Sequence, residues 1–70
     1  QVRQVLLQCP GVVDVHHLHI WALSTSQVAL TAHVCRRIGV VDDMALLHQA
    51  KRALAEVGVE HSTIQLEPAP

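Results

Sequence analysis

Six histidines stand in a chain of 70 residues that has one Met, one Trp and no Phe or Tyr. Imidazole is the side chain that binds borderline divalent cations and also exchanges a proton near neutral pH. His16, His17 and His19 crowd into Val15-His16-His17-Leu18-His19-Ile20-Trp21, His33 lies in Ala32-His33-Val34, and His48 and His61 stand apart. A carboxylate, Glu67, closes the run His61-Ser62-Thr63-Ile64-Gln65-Leu66-Glu67. Three or four imidazole and carboxylate donors at about 2.0–2.2 Å make a tetrahedral site of the zinc type. The question is which elements could bring them together.

Val2, Val5, Leu6 and Cys9 recur with the spacing of one helix face, and Pro10-Gly11 stops that helix. Residues 12–24 are rich in β-branched side chains and read as a strand, and residues 27–35 read as a second. The polar run Ser24-Thr25-Ser26-Gln27 joins them as a hairpin turn, without the favoured Asn-Gly pair. Asp42 or Asp43 caps a second helix over 42–57. Its inner face reads as Met44, Leu47, Lys51, Leu54 and Val57, with Lys51 laying its stem along the apolar surface. Gly58 stands where a glycine ends a helix, and the alternating residues 61–67 form a last strand. The order α-β-β-α-β predicts an α+β fold in one domain spanning 1–70. It has a three-stranded mixed sheet, the last strand returning parallel after a right-handed crossover, with two helices on one face. The other sheet face is left bare and partly apolar, which suggests a dimer interface.

Composition excludes several functions. Half the residues are hydrophobic and the net charge is −1, so the chain is not a disordered tail. Five basic residues against six acidic ones do not make a nucleic-acid arm, and the sheet lacks the aromatics that stack RNA bases. No apolar run approaches the length of a membrane span. The first residue is Gln1 and no signal peptide is visible, so the chain reads as a piece of something longer. Two cysteines are too few for a disulfide framework. Cys9 reads as core and Cys35 as structural, although Arg36-Arg37 beside Cys35 could lower its pKa.

Alternation along the strands sorts the histidines. A two-residue turn at Thr25-Ser26 would set Leu18 opposite His33 and Ile20 opposite Thr31. His16 then shares a face with His33, one diagonal step of about 7–8 Å away, close enough for two imidazoles to converge on one ion. His17 and His19 fall on the opposite face, with Val34 and Ala32, and read as packing residues beside Trp21. On the last strand His61, Thr63, Gln65 and Glu67 share a face. His61 and Glu67 lie roughly 20 Å apart, so they serve two sites or one of them meets a partner chain. His48, one turn before Arg52, reads as part of a solvated helix face.

Taken together, GVVDVHHLHIWAL, VALTAHV and HSTIQLE resemble the C-terminal cytoplasmic domain of cation diffusion facilitator transporters. The resemblance is greatest to the zinc-exporting bacterial branch and the vertebrate vesicular zinc transporters, and it spans Gln1 to Glu67. It implies a ferredoxin-like, metallochaperone-like domain that forms a homodimer on the cytoplasmic side of the membrane and binds zinc. It further implies a transmembrane domain elsewhere in the full protein, in the inner or cell membrane, which exchanges divalent metal for protons. The family's cytoplasmic metal ligands fall on His16, His33 and Glu67, and His61 matches a histidine that contributes in part of the family. The chain departs from the family's pattern at Gln65, where some relatives carry His, and near Met44, where some carry a further helix ligand. One site per protomer, or one shared across the dimer, therefore suits the chain better than a binuclear site. Zn2+ is the expected ion, with Co2+, Cd2+ and Ni2+ tolerated by the same donors.

Three other functions fit the sequence less well. A soluble metallochaperone of this fold would present a C-x-x-C loop, and the chain has none. A small-molecule-binding regulatory module would want a glycine-rich loop at the sheet edge, and only three glycines occur, scattered. An enzyme would need an acid to orient Cys35 and His33 and an oxyanion hole, and neither is visible in the sequence. The chain is therefore expected to be a non-enzymatic, metal-sensing regulatory domain.

Overall fold

A computed structural model describes all 70 residues. Its elements run α1 (Val2–Leu7), β1 (Val12–Ala22), β2 (Val28–Arg36), α2 (Asp43–Glu56) and β3 (His61–Pro68). The sheet order is β1-β2-β3, with β2 antiparallel to β1 and parallel to β3. The expected α-β-β-α-β order and mixed sheet are both present. Ferredoxin-like packing follows from alternation: Leu30, Ala32 and Val34 of β2 are buried under the helices, while Thr31, His33 and Cys35 between them are only half-buried on the other face.

The core joins Leu6 and Cys9, Val15 of β1, the three β2 residues, Leu46, Ala50 and Leu54 of α2, and Val59. The inner stripe of α2 is thus Leu46-Ala50-Leu54. Met44 and Val57, expected inside, are 62% and 53% exposed. Leu54 is inside as expected, and the i, i+4, i+8 spacing that leads back from it puts Leu46 and Ala50 inside in place of Leu47 and Lys51, the small Ala50 suiting close approach to the sheet. Lys51 is exposed as well. It does not lay its stem along the core but donates to the backbone carbonyl of Ser62 and, at 3.2 Å, to its Oγ, tying α2 to β3.

Local chemistry fixes the ends of α2. The Asp42 carboxylate accepts from the amides of Met44 and Ala45 at 3.1 and 3.2 Å, satisfying two free donors of the first turn. Asp43 turns away to pair with Arg36 at 2.8 Å. At the other end Gly58 takes φ +94°, its amide donating to Ala55 O and that of Val59 to Leu54 O. This is the Schellman arrangement, and the buried Val59–Leu54 pair is its hydrophobic contact. It turns the chain into β3 and so aims Glu67.

Two register features differ from expectation. The hairpin closes through Leu23 N–H donating to Gln27 O, with Ser24, Thr25 and Ser26 as a three-residue turn. Without a residue pair suited to a two-residue turn, the loop takes one residue more. Ile20 therefore faces Leu30, not Thr31. A bulge then intervenes between His16 and His19, where His17 adopts φ +51°, and below it His16 lies directly opposite His33. The bulge reverses the alternation of β1. Leu18 packs on the core side, and His19 lies opposite Thr31 on the bare face, contrary to the expectation for both. The hairpin tip projects beyond the helices, leaving Ile20, Trp21 and Leu23 about half exposed.

Candidate metal centre

β1, β2 and β3 deliver one side chain each to a common point on the bare face. His16 stands opposite His33, and Cys35, two residues on, stands opposite Glu67. The Glu67 carboxylate spans the two imidazoles. His16 Nε2 lies 2.9 Å from its Oε1 and His33 Nδ1 lies 2.6 Å from its Oε2. Gln65 donates to Oε2 at 3.1 Å and holds the carboxylate in place. All three side chains are about a third exposed. They form an open cluster on the sheet surface, reachable from solvent or from a facing molecule.

These contacts dictate the electrostatics. Hydrogen bonds from His16, then from His33, hold the Glu67 carboxyl below its usual range, against a smaller opposing effect of burial. Glu67 is therefore an anion between two imidazoles over the whole neutral range. Burial, then the Glu67 charge, push the Cys35 thiol up. Arg36-Arg37 do not lower it: Arg36 pairs with Asp43, and the Glu67 carboxylate lies 3.8 Å from the sulfur. The thiol stays protonated at neutral pH. It makes a poor nucleophile, since the thiolate is the reactive form.

The donors suit a divalent cation. Two imidazoles and a carboxylate are a borderline-hard set, the kind zinc and its neighbours accept. Tetrahedral bonds of about 2.0–2.1 Å put donor atoms about 3.4 Å apart. The present imidazole–carboxylate contacts of 2.6 and 2.9 Å would lengthen to admit an ion. Overlapping sets of donor atoms lie within 4.8 Å of one another: His16, His17 and His33 form one, and His16, Cys35 and Glu67 the other.

Of the residues singled out from the sequence, the structure brings together His16, His33 and Glu67. His61 pairs with Ala29 at the opposite end of β3, six residues from Glu67, and does not join them. His48 is exposed on the outer side of α2, as read, and Cys9 is core. Two histidines expected on the helix side, His17 and His19, lie on the bare face, and His17 is the one that reaches the cluster. Its ring lies 4.8 Å from those of both His16 and His33. No local signal marks the bulge that puts it there, since the positive φ falls on a histidine and not on a glycine.

The sequence pattern of the family described as "cation efflux protein, cytoplasmic domain" matches residues 1–69. The chain is 41% identical over 71 residues to the metal cation efflux system protein CzcD of Cupriavidus metallidurans, covering 100% of this chain and 22% of that protein. It is 39% identical over 67 residues to the human proton-coupled zinc antiporter SLC30A8, covering 94% of this chain and 18% of that protein. It thus spans about a fifth of the length of these curated relatives. Their names are those of transporters, a non-enzymatic kind of function. Among solved structures, the metal-bound C-terminal domain of the CzcD transporter superposes with a TM-score of 0.84 at 40% identity, covering 94% of this chain and 92% of that one. The structure of the putative zinc transporter CzrB gives a TM-score of 0.75 at 25% identity, covering 99% and 89%. With the fold, the sequence pattern and these relatives in agreement, the chain belongs to the cation efflux protein cytoplasmic-domain family.

Proposed function

We propose that the chain is the metal-responsive regulatory and dimerisation module of a divalent-cation efflux transporter, with zinc as its cation and His16, His33 and Glu67 as its ligands. The observation that carries this reading is the Glu67 carboxylate held between two imidazoles on an open sheet face. A relative of similar fold whose solved structure is described as metal-bound supports it, as do relatives named for efflux and zinc antiport.

Before a cation arrives, His16 and His33 each donate an N–H to Glu67, so the carboxylate orients both rings. A bound cation would supply one dense positive charge to all three side chains and hold them at a fixed separation. Imidazole binds a cation only through a bare nitrogen, so the two N–H groups must turn away or lose their protons. Binding is therefore linked to pH. Control of transport follows if two arrangements of the paired modules differ in affinity for the cation, because a ligand shifts an equilibrium only by that difference. The pairing is with a second copy of this chain, on the face that carries His33 and the half-exposed Trp21, and it persists without metal. His61, too far along β3 to share the ion, takes part only with donors from the partner chain. In the whole protein the module works on the cytoplasmic side of the membrane that holds the transport domain.

Isothermal calorimetry with zinc at neutral pH tests the reading. About one ion per chain, at micromolar affinity or better, is the expected result, with a larger loss for His33→Ala than for the outlying His48→Ala. Absence of binding, or equal losses in the two variants, would refute the ligand assignment.

A further inference from the structure

The bulge in β1 carries a histidine in a backbone conformation that histidine seldom adopts. His17 has φ +51°, in the left-handed region. A residue other than glycine there is strained, and such residues cluster at functional sites. The consequence is specific. Regular alternation would send His17 to the helix side of the sheet, where Val15 and Leu18 pack. The bulge turns its imidazole onto the bare face, in contact with His16 and His33, the three ring centroids lying 4.8–5.2 Å apart.

Hydrogen bonding then assigns the nitrogens of the neutral rings. Glu67 is an anion and only accepts, so His16 donates through Nε2 and its Nδ1 is bare. His17 Nδ1 lies 2.8 Å from that atom and must be the donor, which leaves His17 Nε2 bare. His33 donates to Glu67 through Nδ1, which leaves its Nε2 bare as well. His17 and His33 thus each hold one lone pair free for a cation, with the other nitrogen anchored by a neighbour. That is how metal-binding imidazoles are commonly oriented. One donor atom from each of His16, His17 and His33 lies within 4.8 Å of the others.

We propose that His17 is a metal-ligating residue, joining His16 and His33 in a set of three imidazoles supplied by a single chain once His16 Nδ1 is released from its contact with His17. The inference rests on the metal-responsive reading above and sharpens it. Three imidazoles from one protomer, with water in the fourth position, fill a tetrahedral shell, so a zinc-class cation is held without any donor from the partner. Dimerisation then responds to the shape and charge of the filled site instead of completing it.

The test compares zinc calorimetry and the visible absorption of the Co2+-loaded chain for the wild type, His17→Asn, a deletion of His17 and His33→Ala. Asparagine tolerates positive φ and keeps the bulge without the imidazole. Deleting His17 leaves Leu18 alone opposite Ala32, so the ladder becomes regular with every other residue on its present face. Thermal unfolding of each apo protein checks the fold, and if one variant without His17 fails to fold, the other decides. The expected result is a loss of zinc affinity of at least about tenfold in His17→Asn and in the deletion, with weaker tetrahedral Co2+ bands. If both variants bind as the wild type does while His33→Ala binds poorly, the His17 assignment is overturned and the metal-responsive reading stands. If the wild type does not bind, or His33→Ala binds as well as the wild type, both fall.

Discussion

Leu54→Ala joins the stability of the core to the occupancy of the site. Leu54 is fully buried, forms the hydrophobic half of the contact that ends α2, and through Val59 sets the entry into β3. The substitution removes three buried carbons, about 2.4 kcal/mol at ~0.8 kcal/mol each. A partly relaxed cavity brings the total to about 3 kcal/mol, within the range measured for such changes. A 70-residue domain has about 4–10 kcal/mol to lose, at 0.05–0.15 kcal/mol per residue. The apo variant should therefore unfold about 12–24 °C below the wild type, at 4–8 °C per kcal/mol. A cation that binds only the folded chain returns about 2.7 kcal/mol at a free concentration of one hundred times its Kd. Because Leu54 lies on the helix side of the sheet and the His16–His33–Glu67 cluster on the other, the substitution leaves the proposed ligands in place. Zinc at that excess should restore nearly the whole loss. The assay is thermal or urea unfolding followed by far-ultraviolet circular dichroism, with chelator and then with zinc. A destabilisation under about 1 kcal/mol would refute the placement of Leu54 in the core. Unchanged unfolding on adding zinc would refute specific binding to the folded state.

Four further outcomes follow from the same geometry. Glu67 has a folded pKa depressed by His16 and His33, so the stability it contributes is present above the ordinary carboxylate range and lost as pH falls through the depressed value; acid unfolding of Glu67→Gln should lack that component, and an unchanged acid profile would contradict it. Zinc affinity, by contrast, should fall below about pH 6 as protons compete for imidazole, and calorimetry giving equal affinities at pH 5.5 and 7.5 would sink a histidine site. Asp42→Ala should cost about 1 kcal/mol through the two amides it leaves uncapped, read by urea unfolding, with no loss marking the cap as dispensable. Sedimentation at micromolar concentration should find a dimer with or without metal, and a monomer alone would overturn the proposed pairing face.

The order of elements was legible from the chain because it rests on local signals. Pro10-Gly11 ends α1, Asp42 caps α2 and Gly58 closes it, and each acts through the backbone of its own neighbourhood. The inner face of α2 was less legible. Met44 and Val57 have the right chemistry and spacing, but the small Ala50 decides which stripe approaches the sheet.

The site shows most clearly where local information stops. His16 and His33 share a face under the expected two-residue turn and also in the structure, but for a different reason. The turn is longer by one residue and the bulge at His17 adds another, so below the bulge the two shifts add to two residues, which moves His16 to a position directly opposite His33 and, because side chains alternate with period two, keeps its face. Between bulge and turn only one shift acts, which is why Leu18, His19 and Ile20 exchange faces relative to expectation. By itself the sequence determined which donors exist, on which strands, and that His61 and Glu67 lie too far apart to share an ion. Only the tertiary structure decided that Glu67 sits between His16 and His33 and that His17 joins them. The physical reason is that strand register is a property of the paired strands. A bulge is stabilised by the ladder on either side of it, and one extra residue reverses every side chain that follows.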